Sequence, residues 1–173
     1  MTTHVILQML FLICGSIIVA YIIFRYFLGV GFGAPYLPIH TKYLRSINNK
    51  LDIKPGITVV DLGSGDGKIL VEAAKRGATV IGYEINPLLA WISKLRLRKW
   101  QSHATIYRKN LFEADLSKAD IIFIFGINGM MDRLSKKLLH EARTDVEIIS
   151  FAFPLFGFVE KDREDIAFLY RMP

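Results

Sequence analysis

The sequence of 173 residues contains one cysteine, Cys14, so no disulfide can form within the chain. Its four histidines do not have the mutual spacing of a metal site, and no cysteine pair accompanies them. We therefore predict no bound metal ion. The 52% of hydrophobic residues is high for a soluble protein, and the excess lies near the N-terminus.

Charged residues are missing from Val5 to Phe24, where Gln8, Gly15 and Ser16 are the polar or flexible interruptions. About 20 apolar residues suffice for a helix to cross the roughly 30 Å of bilayer hydrocarbon, whereas buried core helices are usually shorter. The run also lacks the basic leading region and the cleavage site of a secretory signal. We predict a retained transmembrane anchor within residues 1–28.

Basic residues follow this predicted anchor but do not precede it. Residues 1–4 contain no Lys or Arg, whereas Arg25, Lys42 and Arg45 come soon after the apolar run. The positive-inside rule then predicts a single-pass protein whose C-terminal part lies on the cytoplasmic side or the organellar matrix side. The net charge of +6 suits a domain beside anionic lipid headgroups, although it would also suit nucleic acid.

The segment from Gly29 to Pro38 is too rich in glycine and proline for a regular element. It is predicted to be a linker or a lid within residues 29–52, and a stiff spacer without chemistry is the alternative. Tyr43, Leu44 and Ile47 recur at helical spacing, which predicts a short helix from about 41 to 49.

Residues 53–173 alternate apolar strand patterns with amphipathic helix patterns. This order predicts an α/β fold with a doubly wound, mostly parallel, Rossmann-like sheet. Predicted strands lie near 57–60, 79–84, 105–107, 120–125, 146–153 and 166–170, and predicted helices near 68–76, 87–100 and 128–142. Within the second of these helices, Trp91 and Trp100 are predicted to be packing residues and the basic cluster from Lys94 to Lys99 a solvated face.

A glycine-rich turn, Asp61-Leu62-Gly63-Ser64-Gly65-Asp66-Gly67, follows the first of these strands. Glycines at alternate positions let the backbone approach a ligand closely, which is typical of nucleotide cofactor sites. A dinucleotide fingerprint would place its third glycine where Lys68 stands, so that pattern is broken. Glu84 ends the next strand, where a carboxylate can accept both hydroxyls of a ribose. A tight turn without a ligand is the alternative.

An acid two residues before three alternating glycines resembles motif I of the seven-β-strand methyltransferases. That resemblance implies S-adenosylmethionine as the cofactor. Enzymes of this fold that methylate base nitrogens usually carry Asp or Asn, two prolines and an aromatic residue after the fourth strand. The chain has Phe125-Gly126-Ile127-Asn128 there, so we expect no nucleic-acid partner.

Further motifs resemble one family within that fold, the membrane-anchored protein-lysine methyltransferases that modify the ATP synthase c subunit and the adenine nucleotide translocase. The resemblance extends from Pro35 to the C-terminus. Its motifs are Pro35-Tyr36-Leu37-Pro38 with Thr41-Lys42, DLGSGDGKI from Asp61, GYEINP from Gly82 with Trp91, Ile124-Phe125-Gly126, Met130-Met131 and Phe153-Pro154.

The resemblance implies a cofactor site with a defined set of residues. Asp61 would contact the methionine end of the cofactor, Glu84 the ribose and Asn110 the adenine, although the family usually has Asp at the position of Asn110. The complete predicted cofactor set is Asp61, Gly63, Ser64, Gly65, Gly67, Glu84 and Asn110. His40 stands where the family commonly has a hydroxyl residue, and the short stretch after the fifth strand predicts a reduced or missing helix.

The predicted reaction is direct in-line transfer of a methyl group to a lysine amine of a membrane-associated protein. Tyr36 and the backbone carbonyls of Phe125 and Gly126 are the candidate acceptor-side groups, and release of the proton to water is also open. Two alternatives remain open: a methyltransferase of a membrane-soluble quinone or lipid, and a non-catalytic cofactor-binding module.

Overall fold

The computed structural model describes residues 2–30 and 50–172, with side chains for 4–24 and 50–172. The N-terminal helix and the sheet domain are separate compact units. The predicted helix near 41–49, the predicted lid segment and the predicted acceptor-side residue Tyr36 lie outside the described residues.

The first unit is the helix α1, Thr2–Val30. Within it, the 21 residues His4–Phe24 have a mean hydropathy of 2.5 and, among the described residues, form a helix long and apolar enough to cross a membrane. The hydroxyl of Ser16 donates to the carbonyl oxygen of Ile13 at 2.8 Å, which satisfies a polar group on this apolar helix. Length and composition thus agree with the predicted anchor.

The second unit contains a seven-stranded sheet of order β3-β2-β1-β4-β5-β7-β6. Its strands are β1 (Thr58–Leu62), β2 (Thr79–Tyr83), β3 (Ala104–Tyr107), β4 (Ile121–Phe125), β5 (Glu147–Phe151), β6 (Glu160–Glu164) and β7 (Ala167–Arg171). The strands β1 to β5 pair in parallel, and β7 runs antiparallel to β5 and β6. The predicted doubly wound, mostly parallel sheet is confirmed.

Three helices connect the parallel strands: α2 (Lys68–Lys75), α3 (Pro87–Leu97) and α4 (Asn128–Glu141). The helix α3 begins where its sequence predicts, because the side chain of Asn86 accepts from the backbone N–H groups of Leu88 and Leu89 at 3.0 and 3.2 Å. Pro87 occupies the first turn, where its missing N–H costs nothing. Short 3₁₀ turns follow at Arg98–Trp100 and Leu111–Glu113.

Two hydrophobic clusters cover the two faces of the sheet. Ile69, Leu70 and Leu97 from α2 and α3 pack on one face. Met131 and Leu134 from α4 pack on the other face. The strand β4 is buried along nearly its whole length, as its continuous apolar sequence predicts for a strand covered on both faces.

The strand β6 is absent from the sequence prediction. Its five residues, EKDRE, have no apolar alternation, and the strand forms an exposed edge of the sheet. Charged residues on an edge strand oppose pairing with another chain. No helix lies between β5 and β6 in this described stretch, as the short sequence there predicts.

Candidate functional site

The carboxyl ends of β1, β2 and β4 lie side by side at one edge of the sheet. Asp61 is paired in register with Gly82 of β2 and with Phe123 of β4. This edge is where open α/β sheets bind their ligands. Sequence-distant residues of the predicted site are therefore brought together by parallel strand pairing.

The glycine turn needs its glycines because of backbone conformation. Gly63, Gly65 and Gly67 have φ values of 91, 53 and 79°, the left-handed region that residues with a Cβ rarely adopt. Close packing also requires Gly67, because a Cβ there would clash with the side chain of Ser93, whose own Cβ would lie 3.0 Å away. The contact between Ser93 of α3 and Gly67 therefore helps to fix the position of the turn.

Backbone hydrogen bonds tie this turn to β2. The N–H groups of Gly63 and Ser64 both donate to the carbonyl oxygen of Tyr83, at 2.9 and 3.0 Å. The hydroxyl of Ser64 is buried and has no hydrogen-bond partner among the described residues. It faces Gly82, where an added Cβ would lie 2.8 Å from the Ser64 oxygen. The Ser64 side chain thus points toward the sheet, and its predicted cofactor contact stays a prediction.

Asp61 is the most unusual group at this edge. Its side chain is 1% exposed, and neither carboxylate oxygen has a hydrogen-bond partner in the described structure. Burial raises the pKa of this carboxyl well above its usual range, and the negative charges of Glu84 and Asp66 raise it further. A buried carboxylate without a partner is costly, so Asp61 is suited to a cationic ligand.

Glu84 is also buried, but each of its carboxylate oxygens accepts a hydrogen bond. Its Oε2 accepts from the N–H of Gly65 at 2.8 Å, and its Oε1 accepts from the N–H of Asn86 at 2.7 Å. Burial raises the pKa of Glu84, while hydrogen bonds from Asn86, Gly65 and Ile85 act in the opposite direction. Each carboxylate oxygen has two lone pairs, so Glu84 can still accept from ligand hydroxyls while it supports the turn.

The contacts of two residues near the turn, Asp66 and Ser93, were missed by sequence reasoning. Asp66 forms an ion pair with Arg96 of α3 and a second, at 3.4 Å, with Lys68. Ser93 lies on the buried face of α3 against Gly67. Its place between the apolar positions Ala90 and Leu97 is the signal that could have assigned it to that face.

Asn110 lies beyond the end of β3, where it caps the short turn Leu111–Glu113. Its side-chain oxygen accepts from the N–H of Phe112 at 3.1 Å, and the residue is exposed. One lone pair of this oxygen and both amide protons remain for a ligand. The predicted adenine contact is compatible with this position and stays a prediction.

The predicted acceptor-side residues Phe125 and Gly126 are the last residue of β4 and the residue directly after it. A Cβ at Gly63 would lie 3.7 Å from the carbonyl oxygen of Phe125, so the turn and this carbonyl are neighbours. A Cβ at Gly126 would lie 2.5 Å from the sulfur of Met131, so a larger residue there would displace the Met131 side chain. The ring of Phe125 stacks on Phe151, with centroids 6.1 Å apart. The packing of the Phe125 ring thus fixes the position of the Phe125 carbonyl at the end of β4.

No group of three or more His, Cys, Asp or Glu side chains suited to a metal ion occurs among the described residues. At this edge of the sheet there are a buried carboxylate without a partner, a glutamate that accepts two backbone hydrogen bonds, and a turn of three left-handed glycines. These features fit a nucleoside that carries a positive charge.

The fold and this edge define the class of the chain as the seven-stranded methyltransferase fold. A crystal structure of an RNA methyltransferase from Salinibacter ruber in complex with S-adenosyl-L-homocysteine matches with a TM-score of 0.72. The match covers 79% of this chain and 92% of that chain at 23% sequence identity. At this identity the likeness shows the fold alone.

Sequence comparisons then identify the family. Residues 61–162 match the model described as the ANTKMT methyltransferase domain, and the chain belongs to this family. The lysine N-methyltransferase of the ATP synthase c subunit from Homo sapiens is 38% identical over 69% of this chain and 52% of its own length. The adenine nucleotide translocase lysine N-methyltransferase of Mus musculus is 30% identical over 82% of this chain and 66% of its own length. The chain thus spans about half the length of the first of these relatives.

Proposed function

We propose that this chain is an S-adenosylmethionine-dependent methyltransferase that methylates a lysine of a membrane-associated protein. The observation that carries the proposal is Asp61, a buried carboxylate without a partner beside a turn of left-handed glycines. Membership of the family and the names of its relatives support the reaction type.

The cofactor would be held by residues of the glycine turn and of the neighbouring strand ends. Asp61 would accept from the ammonium of the methionine end, directly or through water, and Glu84 would accept from the ribose hydroxyls. Gly63, Gly65 and Gly67 keep the backbone free of Cβ atoms along this path, with Ser64 inside the turn. The exposed Asn110 would contact the adenine. When bound, S-adenosylmethionine supplies an electrophilic methyl group on a sulfonium.

The chain's own task on the acceptor side is to position an amine. A lysine with its usual pKa of about 10.4 must lose a proton before its nitrogen can attack. The carbonyl oxygens of Phe125 and Gly126 can accept from the remaining N–H groups and so orient the lone pair. Tyr36 is the third candidate from the sequence, and the proton can leave to water. The site thus works by proximity and desolvation, without a covalent intermediate.

A protein of the membrane is the acceptor class that we propose. The two named relatives are, by name, lysine methyltransferases of the ATP synthase c subunit and of the adenine nucleotide translocase. The apolar helix His4–Phe24 would confine the enzyme to two dimensions beside such substrates. We further propose that the chain crosses the bilayer once, with the sheet domain on the cytoplasmic or matrix side.

The test of function is a labelling experiment in membranes. Membranes containing the full chain are incubated with S-adenosylmethionine labelled on the methyl group, and protein is separated from solvent-extractable lipid. Label in protein, located on lysine by mass spectrometry, is the expected result. The control is the Glu84→Ala chain, which removes the acceptor for the ribose hydroxyls and should lose most of the label.

Other outcomes would replace the proposal. Label only in the lipid extract would assign a quinone or lipid acceptor. Binding of S-adenosylmethionine without label in either fraction would favour a non-catalytic cofactor-binding module. Protease accessibility of the sheet domain in sealed vesicles tests its side of the membrane, and resistance in vesicles that expose the cytoplasmic or matrix side would contradict the proposed orientation.

A further inference from the structure

The formal net charge of the chain is concentrated in one stretch of sequence. Between Glu84 and Glu113 there are six cationic residues and no acidic residue, a number equal to the net charge of +6. The other 16 Lys and Arg residues are balanced by the 16 Asp and Glu residues. The six are Lys94, Arg96, Arg98, Lys99, Arg108 and Lys109. They lie on α3, on the 3₁₀ turn after it, and just past β3 at the edge of the sheet.

One face of α3 combines these cations with exposed apolar side chains. Trp91 and Leu95 are one turn apart and are 58% and 50% exposed. Lys94 and Arg98 occupy the same face at helical spacing, while Ser93 and Leu97 on the opposite side are buried. We call the four residues Trp91, Lys94, Leu95 and Arg98 the α3 face. The predicted packing role of Trp91 is wrong, because the residue is more than half exposed, whereas Trp100 packs against the core.

The cations of the α3 face are available for a partner. Among the described residues, neither Lys94 nor Arg98 forms an ion pair, whereas Arg96 is paired with Asp66 and contacts its backbone carbonyl at 3.1 Å. Like charges held together without acids repel one another, which an anionic surface would relieve. The α3 face therefore has both an apolar centre and unneutralised cations.

We propose that the α3 face binds an anionic phospholipid surface. Tryptophan prefers the interface between headgroups and acyl chains, since its ring is apolar and its N–H is polar. Lys and Arg beside it gain from the negative surface potential of anionic lipids, and their long stems reach the phosphates while leucine inserts. The helix α1, which is long and apolar enough to cross a membrane, gives the chain a means of staying near a bilayer.

This surface would set the orientation of the sheet domain on the membrane. The helix α3 begins directly after Glu84 and Asn86, at the same edge as the glycine turn. A domain resting on its α3 face would thus hold the candidate site near the headgroup layer. The inference uses the proposed membrane anchoring but is independent of methyl transfer.

The chain contains two tryptophans, so a fluorescence test can isolate Trp91. The full chain with Trp100→Phe is reconstituted into vesicles of phosphatidylcholine, alone or with about one-third phosphatidylserine. Quenching of Trp91 by lipids brominated on the acyl chains reports its contact with the bilayer. We expect strong quenching with phosphatidylserine and at least severalfold less without it.

Charge reversal provides the matched comparison. Lys94→Glu with Arg98→Glu should reduce the quenching severalfold, since each cation near the surface changes binding about fivefold. Lys118→Glu with Lys136→Glu changes the net charge equally away from the α3 face, at the cost of the exposed ion pair between Lys136 and Asp132, and should leave the quenching unchanged. Both lysines are exposed. Circular dichroism and thermal melting confirm that the variants are folded.

Three results would overturn the proposal. In the first, Trp91 remains unquenched in both kinds of vesicle although alkaline extraction shows that α1 is inserted. The α3 face would then not contact the bilayer to which the chain is anchored. Both charge-reversed pairs could have the same effect, which would mean that only net charge matters. Protection of Trp91 by an acidic polypeptide or RNA, with no quenching by lipid, would assign the α3 face to a macromolecular partner instead.

Discussion

One buried acid, Asp61, lies near the carboxyl end of β1 and another, Glu84, directly after β2, and the two differ in their hydrogen bonding. Glu84 accepts hydrogen bonds from the N–H groups of Gly65 and Asn86, at 2.8 and 2.7 Å. Asp61, on the neighbouring strand, has no hydrogen-bond partner for either oxygen among the described residues. Both have a raised pKa because burial disfavours the charged form.

The two acids therefore differ in role: Glu84 supports the fold of the turn, and we propose that Asp61 binds a ligand. Glu84 stabilises the folded turn in the absence of any ligand, since it satisfies buried N–H groups that would otherwise be unpaired. Asp61 gives the folded chain no such contact and is costly as a bare anion. We propose that it is compensated by a ligand that brings positive charge, as S-adenosylmethionine does. Removing the charge of Glu84 should therefore lower the free energy of unfolding, whereas removing the charge of Asp61 should raise it.

Glu84→Gln should have the largest effect. One acceptor oxygen becomes an NH₂ group that faces the N–H of Gly65 or Asn86, so a buried donor is left unpaired. We expect the free energy of unfolding to fall by about 1–3 kcal/mol, and cofactor binding to weaken by about 1.5–3 kcal/mol. Denaturant unfolding and calorimetric titration measure the two changes. An unfolding free energy equal to that of the wild type would contradict the supporting role.

Asp61→Asn should change stability with the opposite sign. The substitution removes a buried charge without a partner, so the cofactor-free protein should gain on the order of 1 kcal/mol at about pH 8. Affinity for S-adenosylmethionine should fall, because the acceptor for its ammonium is lost. The stability advantage of Asp61→Asn should disappear at acidic pH. Because the pKa of Asp61 is raised in the folded wild type, the wild type keeps the full contribution of this group below about pH 3.9 and loses it as the pH rises through the folded-state pKa. A destabilised Asp61→Asn protein at alkaline pH would show that the carboxylate has a partner.

Of the three substitutions, Asp66→Asn should change the free energy of unfolding least, and it tests the electrostatic effect on Asp61. Asp66 is paired with Arg96, whose side chain is 40% exposed, so we expect a loss below about 1 kcal/mol. The charge of Asp66 also raises the pKa of Asp61, so its removal should lower that pKa slightly. NMR titration of the Asp61 carboxyl carbon measures this shift. An upward shift would contradict the electrostatic account.

Much of this edge could be predicted from sequence because the signals are local. The glycines at 63, 65 and 67, the acid ending each strand and the Asn86 cap each act within a few residues. The strand β6 escaped prediction because it consists of charged residues on an edge, where no core imposes alternation.

The electrostatic contrast could not be predicted from sequence. Asp61 lies within β1, in register with Gly82, whereas Glu84 follows β2, and only the folded backbone decides which of the two acids receives N–H donors. The contact of Ser93 with Gly67 and the exposure of Trp91 are likewise properties of how α3 rests on the sheet. The sequence predicts packing for Trp91 and assigns Ser93 to neither face, because the burial of each helix position depends on how α3 docks on the sheet.

The most direct test of the central claim is the affinity for S-adenosylmethionine as a function of pH, measured by calorimetry in the wild-type and Asp61→Asn proteins. We predict that the wild type binds more tightly at every pH above the raised pKa of Asp61. The difference should shrink as the pH falls and Asp61 becomes protonated, and binding in that range should release a proton in the wild type. Equal affinities with the same pH dependence would contradict the claim that Asp61 is the cation-binding group of this site.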